Sequence, residues 1–279
     1  MAPAATTRTI AVSSADDDAS GGTSCTLRDA IGAANMGATG SFNGCTISES
    51  GSGAPTDYVL NLPALAYTYT LTGTADEDGN ATGDLDILVN VTINGESAAT
   101  TILDGDQIDR VLHITDTVTV FINDVTIRHG GTPTGTNGTG SEDGGDGGNG
   151  GGIYNAGFLS IASSTLGENA TGTGGQGGPS HGDGGDGGDG GGIFNSGTLM
   201  LTDSVVISNT TGAGGRGDFG GDGGNGAGIC NEGALTVMGS TVSDNTAGNG
   251  RDADDEVGGK GGHGGGIYNT GYLLSLIHI

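Results

Sequence analysis

The C-terminal half of the sequence repeats one short pattern four times. Each copy begins with Gly-Ile, then Tyr, Phe or Cys, then Asn, and the first three copies continue through Gly-x-Leu-x-aliphatic to a second Asn. The isoleucines that begin the copies are spaced by 40, 36 and 38 residues; they are Ile153, Ile193, Ile229 and Ile267. Such self-similarity is typical of proteins built by stacking identical units, so it constrains the fold more than any other feature.

Each complete copy contains three short runs in which apolar and polar residues alternate, for example Ile153/Asn155, Leu159/Ile161 and Leu166/Asn169. Period-two alternation is typical of β-strands, and no run has the helical period. Each run is too short to bury an apolar face alone, whereas coils stacked about 4.8 Å apart bury their faces together. The repeat therefore predicts an all-β fold, a parallel β-helix with three strands per coil.

The asparagines of the repeat fall into two sets that stacking would align. The first set is Asn155, Asn195, Asn231 and Asn269, and the second is Asn169, Asn209 and Asn245. Stacked amides can hydrogen-bond along the axis of the solenoid, which predicts two asparagine ladders. The alternative is that these residues accept turn conformations. Both interpretations are structural rather than catalytic.

Glycine-rich runs follow each set of strands at the same place in the repeat. They cover residues 130–150, 172–190, 212–226 and 248–264, and glycine supplies 63 of the 279 residues of the chain. We expect insertions along one edge of the solenoid, a position that is often the binding face. Two organisations are open: flexible, solvated loops, or extended polyproline-II-like segments packed as a small bundle.

Acidic residues recur at every third position in these runs, and they are the candidate metal ligands. They are Asp143, Asp146, Asp183, Asp186, Asp189 and Asp222. Calcium takes about six to eight oxygen ligands, so carboxylates stacked in adjacent insertions suggest weak calcium binding. The runs lack the aliphatic positions of the GGxGxDxUx calcium repeat, and the alternative is a solvated acidic surface.

The formal net charge is −26, from 33 acidic and 7 basic residues. A chain this acidic repels phosphate backbones, so we expect no nucleic-acid partner and no attraction to anionic membranes. The sequence shows no membrane-spanning stretch, and its start, "MAPAATTRTI", lacks the apolar core of a signal peptide. That start fits either a cytoplasmic protein or a mature or truncated chain. The tail, residues 274–279, departs from the repeat, and we expect it to be non-native or truncated.

The N-terminal part differs in composition from the repeats. Cys25 and Cys45 can form a disulfide in an oxidising compartment or remain two free thiols, and Cys230 is expected to pack. Residues 24–36 predict a helix with a capping-box start, which suits a cap on the open end of a solenoid. The expected organisation is a cap region in residues 1–56, opening coils in 57–129, glycine-rich coils in 130–273 and the tail.

The segment "CTLRDAIGAAN" resembles the motif that names the CSLREA family of secreted bacterial and archaeal proteins. The likeness continues through "LPALAYTYTLTG", "VTINGESAATTILDG", "DRVLHI" and "VTIRHGG" and covers residues 8–130. It implies a cap at the start of a right-handed parallel β-helix on a secreted or surface-anchored protein. The later repeats show a weaker likeness to the GGAI/FxxN repeats of polymorphic outer-membrane proteins, of which "GGI" is kept.

The sequence offers few candidate catalytic residues. The segment "LDGDQIDR" brings Asp104, Asp106 and Asp109 close to Arg110, with Arg128 on a later strand, and we interpret it as a turn with a stacking or capping arginine. His113 and His129 have no metal-ligand spacing, and no nucleophile elbow is visible. The sequence therefore predicts no catalytic and no cofactor-binding residues.

The leading interpretation is a non-enzymatic, extracellular or cell-surface β-helix that acts as a stalk or adhesin-like module. Its expected partners are a host or environmental glycan or a protein surface, and we expect a monomer with no direct membrane insertion. Two alternatives stay open: a polysaccharide lyase or glycoside hydrolase with incomplete active coils, and a calcium-stabilised matrix protein.

Overall fold

The computed structural model describes residues 6–17, 22–51, 55–64, 66–68, 79–253 and 257–276. The described residues form an all-β fold with parallel sheets and a single helix. Among them, no helix combines the length and the apolar character needed to cross a membrane. The elements in chain order are β1 (Thr6–Ala11), α1 (Leu27–Asn35), β2 (Ser41–Phe42), β3 (Cys45–Ser50), β4 (Pro55–Asn61), β5 (Ala66–Thr68), β6 (Leu85–Ile87), β7 (Val91–Asn94), β8 (Ile102–Asp104), β9 (Leu112–Ile114), β10 (Thr119–Asn123), β11 (Thr126–Arg128), β12 (Ile153–Asn155), β13 (Phe158–Ala162), β14 (Thr165–Gly167), β15 (Ile193–Asn195), β16 (Thr198–Thr202), β17 (Val205–Ile207), β18 (Ile229–Asn231), β19 (Ala234–Met238), β20 (Thr241–Ser243), β21 (Ile267–Asn269) and β22 (Tyr272–Leu276).

These strands wind through three sheets in turn, so that each coil adds one strand to each sheet. The first sheet has the order β2-β3-β1-β4-β7-β10-β13-β16-β19-β22, the second β20-β17-β14-β11-β8-β5, and the third β21-β18-β15-β12-β9-β6. From β4 onward every pairing is parallel, while β3 pairs antiparallel with β1 and β2. The described residues thus form a parallel β solenoid of six complete coils, followed by β22.

Identical positions of successive repeats stack in register, which explains why short strands suffice. Ile153 pairs with Ile193, and Ile193 with Ile229, and all three side chains are fully buried. Leu159 and Leu199 pair in the same way in the first sheet. A side chain that would be half-exposed in an isolated coil is covered by its copies above and below, so burial accumulates along the stack.

The helix α1 closes the N-terminal end of the stack. Thr26 is its N-cap, and the reciprocal hydrogen bonds between Thr26 and Asp29 form the capping box. Cys25, next to the cap, is joined by a disulfide to Cys45 on β3. Arg28 extends from the helix to the first coil, where its guanidinium donates to the carbonyl oxygens of Gly83 and Asp84 at 2.7 and 3.0 Å. The cap is therefore bonded to the solenoid through both backbone and side chains.

Candidate functional site

The four glycine-rich runs connect the second sheet to the third in successive coils, and they stack on one another. We call residues 130–150, 172–190, 212–226, 248–253 and 257–264 the glycine-rich stack. Backbone amides in one run donate to backbone carbonyls of the next: Gly147 to that of Asp186 and Gly187 to that of Asp222, both at 2.9 Å, and Gly223 to that of Lys260 at 2.8 Å. Flexible, solvated loops are therefore the wrong description of the described residues in these runs.

Each run folds back on itself into two extended limbs that also bond to each other. In the first run, Gly145 donates to the carbonyl of Thr136 at 2.8 Å and Gly148 donates to that of Pro133 at 3.0 Å. Gly175 of the next run then donates to the carbonyl of Gly145 at 2.8 Å. These bonds recur every three residues, as expected for packed extended segments with about three residues per turn.

Glycine is required in the stack because backbone packs directly on backbone. A β-carbon on Gly185 would overlap the carbonyl oxygen of Gly145, and one on Gly147 would overlap that of Gly172. The residues between the glycines point outward; among them Asp143, Asp146 and Asp186 are exposed, and Asp189 and Asp222 are half-buried. The triplet pattern of the sequence is thus a packing pattern: two positions face backbone and the third faces solvent.

Threonines fasten the stack to the solenoid, a contact that the sequence analysis did not predict. The hydroxyls of Thr171 and Thr211 donate to the carbonyls of Gly188 and Gly224 at 2.5 and 2.6 Å. The same Thr171 hydroxyl accepts the amide of Gly212 from the next coil at 2.9 Å. In the sequence, both threonines lie two residues after the second asparagine of their repeat, and this fixed position could have predicted the contact.

The outward residues of the returning limbs align as three columns, which we call the acidic columns. The first contains Asp143, Asp183 and Phe219; the second contains Asp146, Asp186, Asp222 and Lys260; the third contains Asn149, Asp189, Asn225 and His263. In each column, a side-chain Oδ1 accepts the backbone amide of the next coil. The Asp146 and Asp186 carboxylates do so at 2.8 and 2.7 Å. These carboxylates are therefore part of the stacking itself.

All six candidate calcium ligands lie in these columns, but only four of them line one groove. Asp146, Asp186, Asp189 and Asp222 face a groove of about 220 Å³ between the second and third columns, together with Asn149 and Asn225. Burial, together with the charges of Glu232 and Asp186, raises the pKa of the Asp189 carboxyl above its ordinary value, although hydrogen bonds from Asn225 oppose this. The groove thus offers carboxylate and amide oxygens, the donor types that calcium takes.

Beside the third column runs a row of side chains on the outside of the third sheet. Its members, in register, are Asp86, His113, Tyr154, Phe194, Cys230 and Tyr268. Tyr154 is stacked on Phe194 with a centroid separation of 5.2 Å, receives the edge of His113 at 5.3 Å and lies under Arg110. Because neighbours cover its ring, Tyr154 does not form an open platform for a sugar.

Cys230 replaces the aromatic residue of this row and is the free cysteine of the described chain. Its side chain is buried, and burial, together with the nearby Asp189 and Glu232 carboxylates, raises the pKa of the thiol to about 12. A thiol with that pKa holds its proton at neutral pH, so Cys230 packs rather than acting as a nucleophile.

The seven ladder asparagines form two continuous hydrogen-bonded chains. In the first, Asn155 donates to Asn195, Asn195 to Asn231, and Asn231 to Asn269, each at 2.6 Å. In the second, the Nδ2 of Asn169 donates to Asn209 and that of Asn209 to Asn245, both at 2.9 Å. Asn155, Asn195, Asn231, Asn169 and Asn209 are fully buried, and the ladders pair their amides inside the solenoid, except that Oδ1 of Asn155 accepts no hydrogen bond from the described residues.

One cluster brings together residues that sequence spacing does not relate. Ligand atoms of Asp84, Asp86 and His113 lie within 4.8 Å of one another, and both carboxylates are buried. Arg110 forms an ion pair with Asp84 at 2.7 Å, and His113 Nδ1 lies 3.0 Å from Asp86. Two buried carboxylates thus face one guanidinium and one imidazole. In the sequence, Asp86 and His113 occupy the position that is aromatic in the later repeats, and this correspondence could have predicted the cluster.

A second cluster links three successive coils at the ends of β8, β11 and β14. Asp104 accepts from Arg128 at 2.8 Å and from His129 Nδ1 at 2.9 Å, while His129 Nε2 lies 3.0 Å from Glu168. Burial acts to raise the pKa of Asp104, but hydrogen bonds from Arg128, the Asp106 amide and His129 outweigh it and hold that pKa below its ordinary value. His129 is thus held between two carboxylates, and Arg128 is paired with Asp104.

Comparison with known proteins adds no relative: no family model, curated protein or solved structure matches the chain. The class that the fold and the site define is a parallel β solenoid that carries an ordered, glycine-rich stack with acidic columns on its surface.

Proposed function

We propose that this chain is a right-handed parallel β-helix of an extracellular or cell-surface protein, and that it acts as a rigid stalk or adhesin-like module. The observation that carries the proposal is the array of outward side chains in the acidic columns. In the second column an aspartate recurs in three successive coils, at Asp146, Asp186 and Asp222, so a ligand meets a carboxylate at each of these coils. Repeated weak contacts multiply avidity without a deep pocket, which suits adhesion to a glycan or protein surface.

Two further features support an extracellular rod. The disulfide between Cys25 and Cys45 persists in oxidising compartments. The likeness of "CTLRDAIGAAN" to CSLREA proteins carries the same expectation of secretion, and we propose membership of that family. The right-handed sense of the proposed β-helix follows the general rule for parallel strands joined by crossover connections.

An adhesion assay tests this proposal. Beads coated with the protein are washed over arrays of immobilised glycans and extracellular proteins, beside beads carrying the variant Asp146→Asn/Asp186→Asn/Asp222→Asn. Asparagine retains the Oδ1 acceptor that each stacking hydrogen bond needs, so the variant keeps the fold and loses three charges. We expect retention of the unaltered protein on a subset of the array and about tenfold weaker retention of the variant.

The matched control is Phe121→Ser, which alters an exposed side chain on the first sheet, away from the stack. We expect this variant to be retained like the unaltered protein. Absence of retention on every spot, or equal retention of the aspartate variant, would overturn the adhesin proposal.

The polysaccharide-enzyme alternative has the Asp104 cluster in its favour, since it places an arginine and a histidine beside two carboxylates. The geometry disfavours it, because Arg128 and both ring nitrogens of His129 are already engaged by Asp104 and Glu168. A general base needs an open lone pair at the substrate. Release of reducing or unsaturated sugar ends from polyuronate or neutral glycans would favour the enzyme.

Calcium stabilisation is the second alternative, and the groove between the second and third acidic columns favours it. Its carboxylates would hold the ion weakly, because one oxygen of Asp146, Asp186 and Asp189 is already bonded to a backbone amide. Calcium would then reduce repulsion among stacked carboxylates and act as a structural ion of a matrix protein.

A further inference from the structure

A cleft lies away from the acidic columns, between the C-terminal end of α1 and the first coils. Its volume is about 640 Å³, and residues of β1, β4 and the turns before β7 and β10 complete its walls. Small-molecule sites typically span about 300–1,000 Å³, so the cleft has the size of a ligand pocket. Nothing in the proposed function uses this cleft.

Arg8 is the charged residue among those that line the cleft, and its side chain is almost entirely buried. Its Nε donates to Glu49 at 2.7 Å, and its Nη1 donates to the carbonyl of Gly37 at 2.9 Å and to the hydroxyl of Tyr58 at 2.6 Å. Within the part of the chain that the structure describes, Nη2 donates to no acceptor. A guanidinium has five N–H donors, so donors of a buried cation remain for an oxygen in the cleft.

Aliphatic side chains also line the cleft, and two of them are open to solvent. Met36, just past the end of α1, is 74% exposed, and Leu88 is 39% exposed. Val118 also lines the cleft and is buried. Exposed aliphatic groups in one cleft with a buried cation are the complement of an amphipathic molecule, not of a sugar or a metal ion.

The charge of the whole chain does not prevent an anion from binding here. The net charge is −26, but salt screens exposed charges beyond about 8–10 Å. Glu49 pairs with Arg8 from outside the lining set, and the other residues that line the cleft are neutral. The Nη2 donors belong to a charged guanidinium, and a charge-assisted hydrogen bond from them favours a carboxylate over a neutral oxygen.

We propose that this cleft binds a small aliphatic carboxylate, with the carboxylate on Nη2 of Arg8 and the alkyl chain against Met36 and Leu88. Charge-assisted hydrogen bonds exceed neutral ones by enough to change affinity about tenfold. The aliphatic side chains supply the rest of the binding free energy through burial of the alkyl chain.

Titration calorimetry of the whole protein with octanoate and with 1-octanol tests the proposal. We expect saturable octanoate binding at one site and about tenfold weaker binding of 1-octanol, which has the same chain and no charge. Met36→Asp, at an exposed position that the fold does not need, should weaken octanoate binding by about tenfold. The control Val257→Asp adds the same charge at another exposed aliphatic residue and should change binding by less than about twofold.

The variant Glu49→Gln tests whether the charge of Arg8, rather than nonspecific hydrophobic contact, drives octanoate binding. It does so without removing the buried arginine. It releases the guanidinium from its carboxylate partner, so octanoate should bind as tightly or more tightly. Equal binding of octanoate and 1-octanol, no effect of Met36→Asp, weaker binding in Glu49→Gln, or no octanoate binding at millimolar concentration would overturn the proposal.

Discussion

Replacement of a single glycine in the middle of the glycine-rich stack should destabilise the protein far more than glycine replacements on a surface usually do. Gly185 is the sharpest choice, because a β-carbon there would overlap the carbonyl oxygen of Gly145 in the preceding coil. Its amide also donates to Gly175 at 3.0 Å, and its carbonyl accepts from Gly215 at 2.7 Å. The variant Gly185→Ala must therefore separate two runs that are bonded on both sides.

The magnitude follows from two contributions. Overpacking a close-packed site by one methyl group costs about 1–3 kcal/mol. Loss of the two backbone hydrogen bonds of Gly185 adds about 0.5–1.5 kcal/mol for each bond. The expected loss is thus about 2–6 kcal/mol, which corresponds to a fall in melting temperature of at least about 3 °C for a chain of this size.

The matched control is Gly261→Ala in the last run, where the nearest atom to an added β-carbon is 3.9 Å away. Alanine restricts the unfolded chain, so this variant should melt within about 2 °C of the unaltered protein or slightly above it. Thermal unfolding followed by circular dichroism measures both variants. Equal melting temperatures for Gly185→Ala and Gly261→Ala would refute backbone packing in the stack.

Four further predictions address the ladders, the groove and the cap. Asn195→Ala should lower stability by about 1–3 kcal/mol, because the buried Oδ1 of Asn231 loses the donor Nδ2 of Asn195, while Nδ2 of Asn155 keeps the carbonyls of Gly157 and Thr198. Asn269→Ala, at the exposed end of the same ladder, should lower stability by less than about 1 kcal/mol in denaturant titrations, because Nδ2 of Asn231 keeps the carbonyls of Gly233 and Tyr272. Asp189→Asn should raise the melting temperature at pH 7, because a raised folded-state pKa means that the ionised carboxylate destabilises the fold; the gain should vanish as the pH falls below the unfolded pKa, and a constant gain would contradict this assignment. Cys45→Ser should destabilise the cap by about 3 kcal/mol, measured as loss of the cooperative unfolding transition of α1, and an unchanged transition would show that the disulfide is dispensable. The calcium alternative predicts a higher melting temperature in millimolar calcium than in sodium chloride of equal ionic strength. Identical melting temperatures in calcium and in chelator would refute this alternative.

The solenoid was predictable because its signal is local and repeated. Ile153 and its copies fix the register, since a one-residue slip would turn every buried aliphatic residue outward. The capping box at Thr26 and Asp29 was readable for the same reason, as four consecutive residues contain it. The handedness of the coils is not written in any such pattern and rests on the general rule for crossovers.

The order of the glycine-rich stack was not predictable, because composition alone is also typical of disorder. Gly147 is held by a carbonyl in the next coil, some forty residues away, and no local pattern reveals that partner. The clusters at Asp84 and Asp104 were missed for a related reason. Their members lie on different coils, so the register of the stack, not spacing in the sequence, brings them together.

Hydrogen–deuterium exchange of the glycine-rich runs tests most directly whether they are an ordered part of the rod. The amides of Gly147, Gly187 and Gly223 each donate to the next coil, and their exchange is followed by mass spectrometry beside that of β13 and β16. The account predicts that these glycine amides are protected to a degree similar to the strand amides. Complete exchange at the shortest labelling time, with the strands still protected, would contradict it.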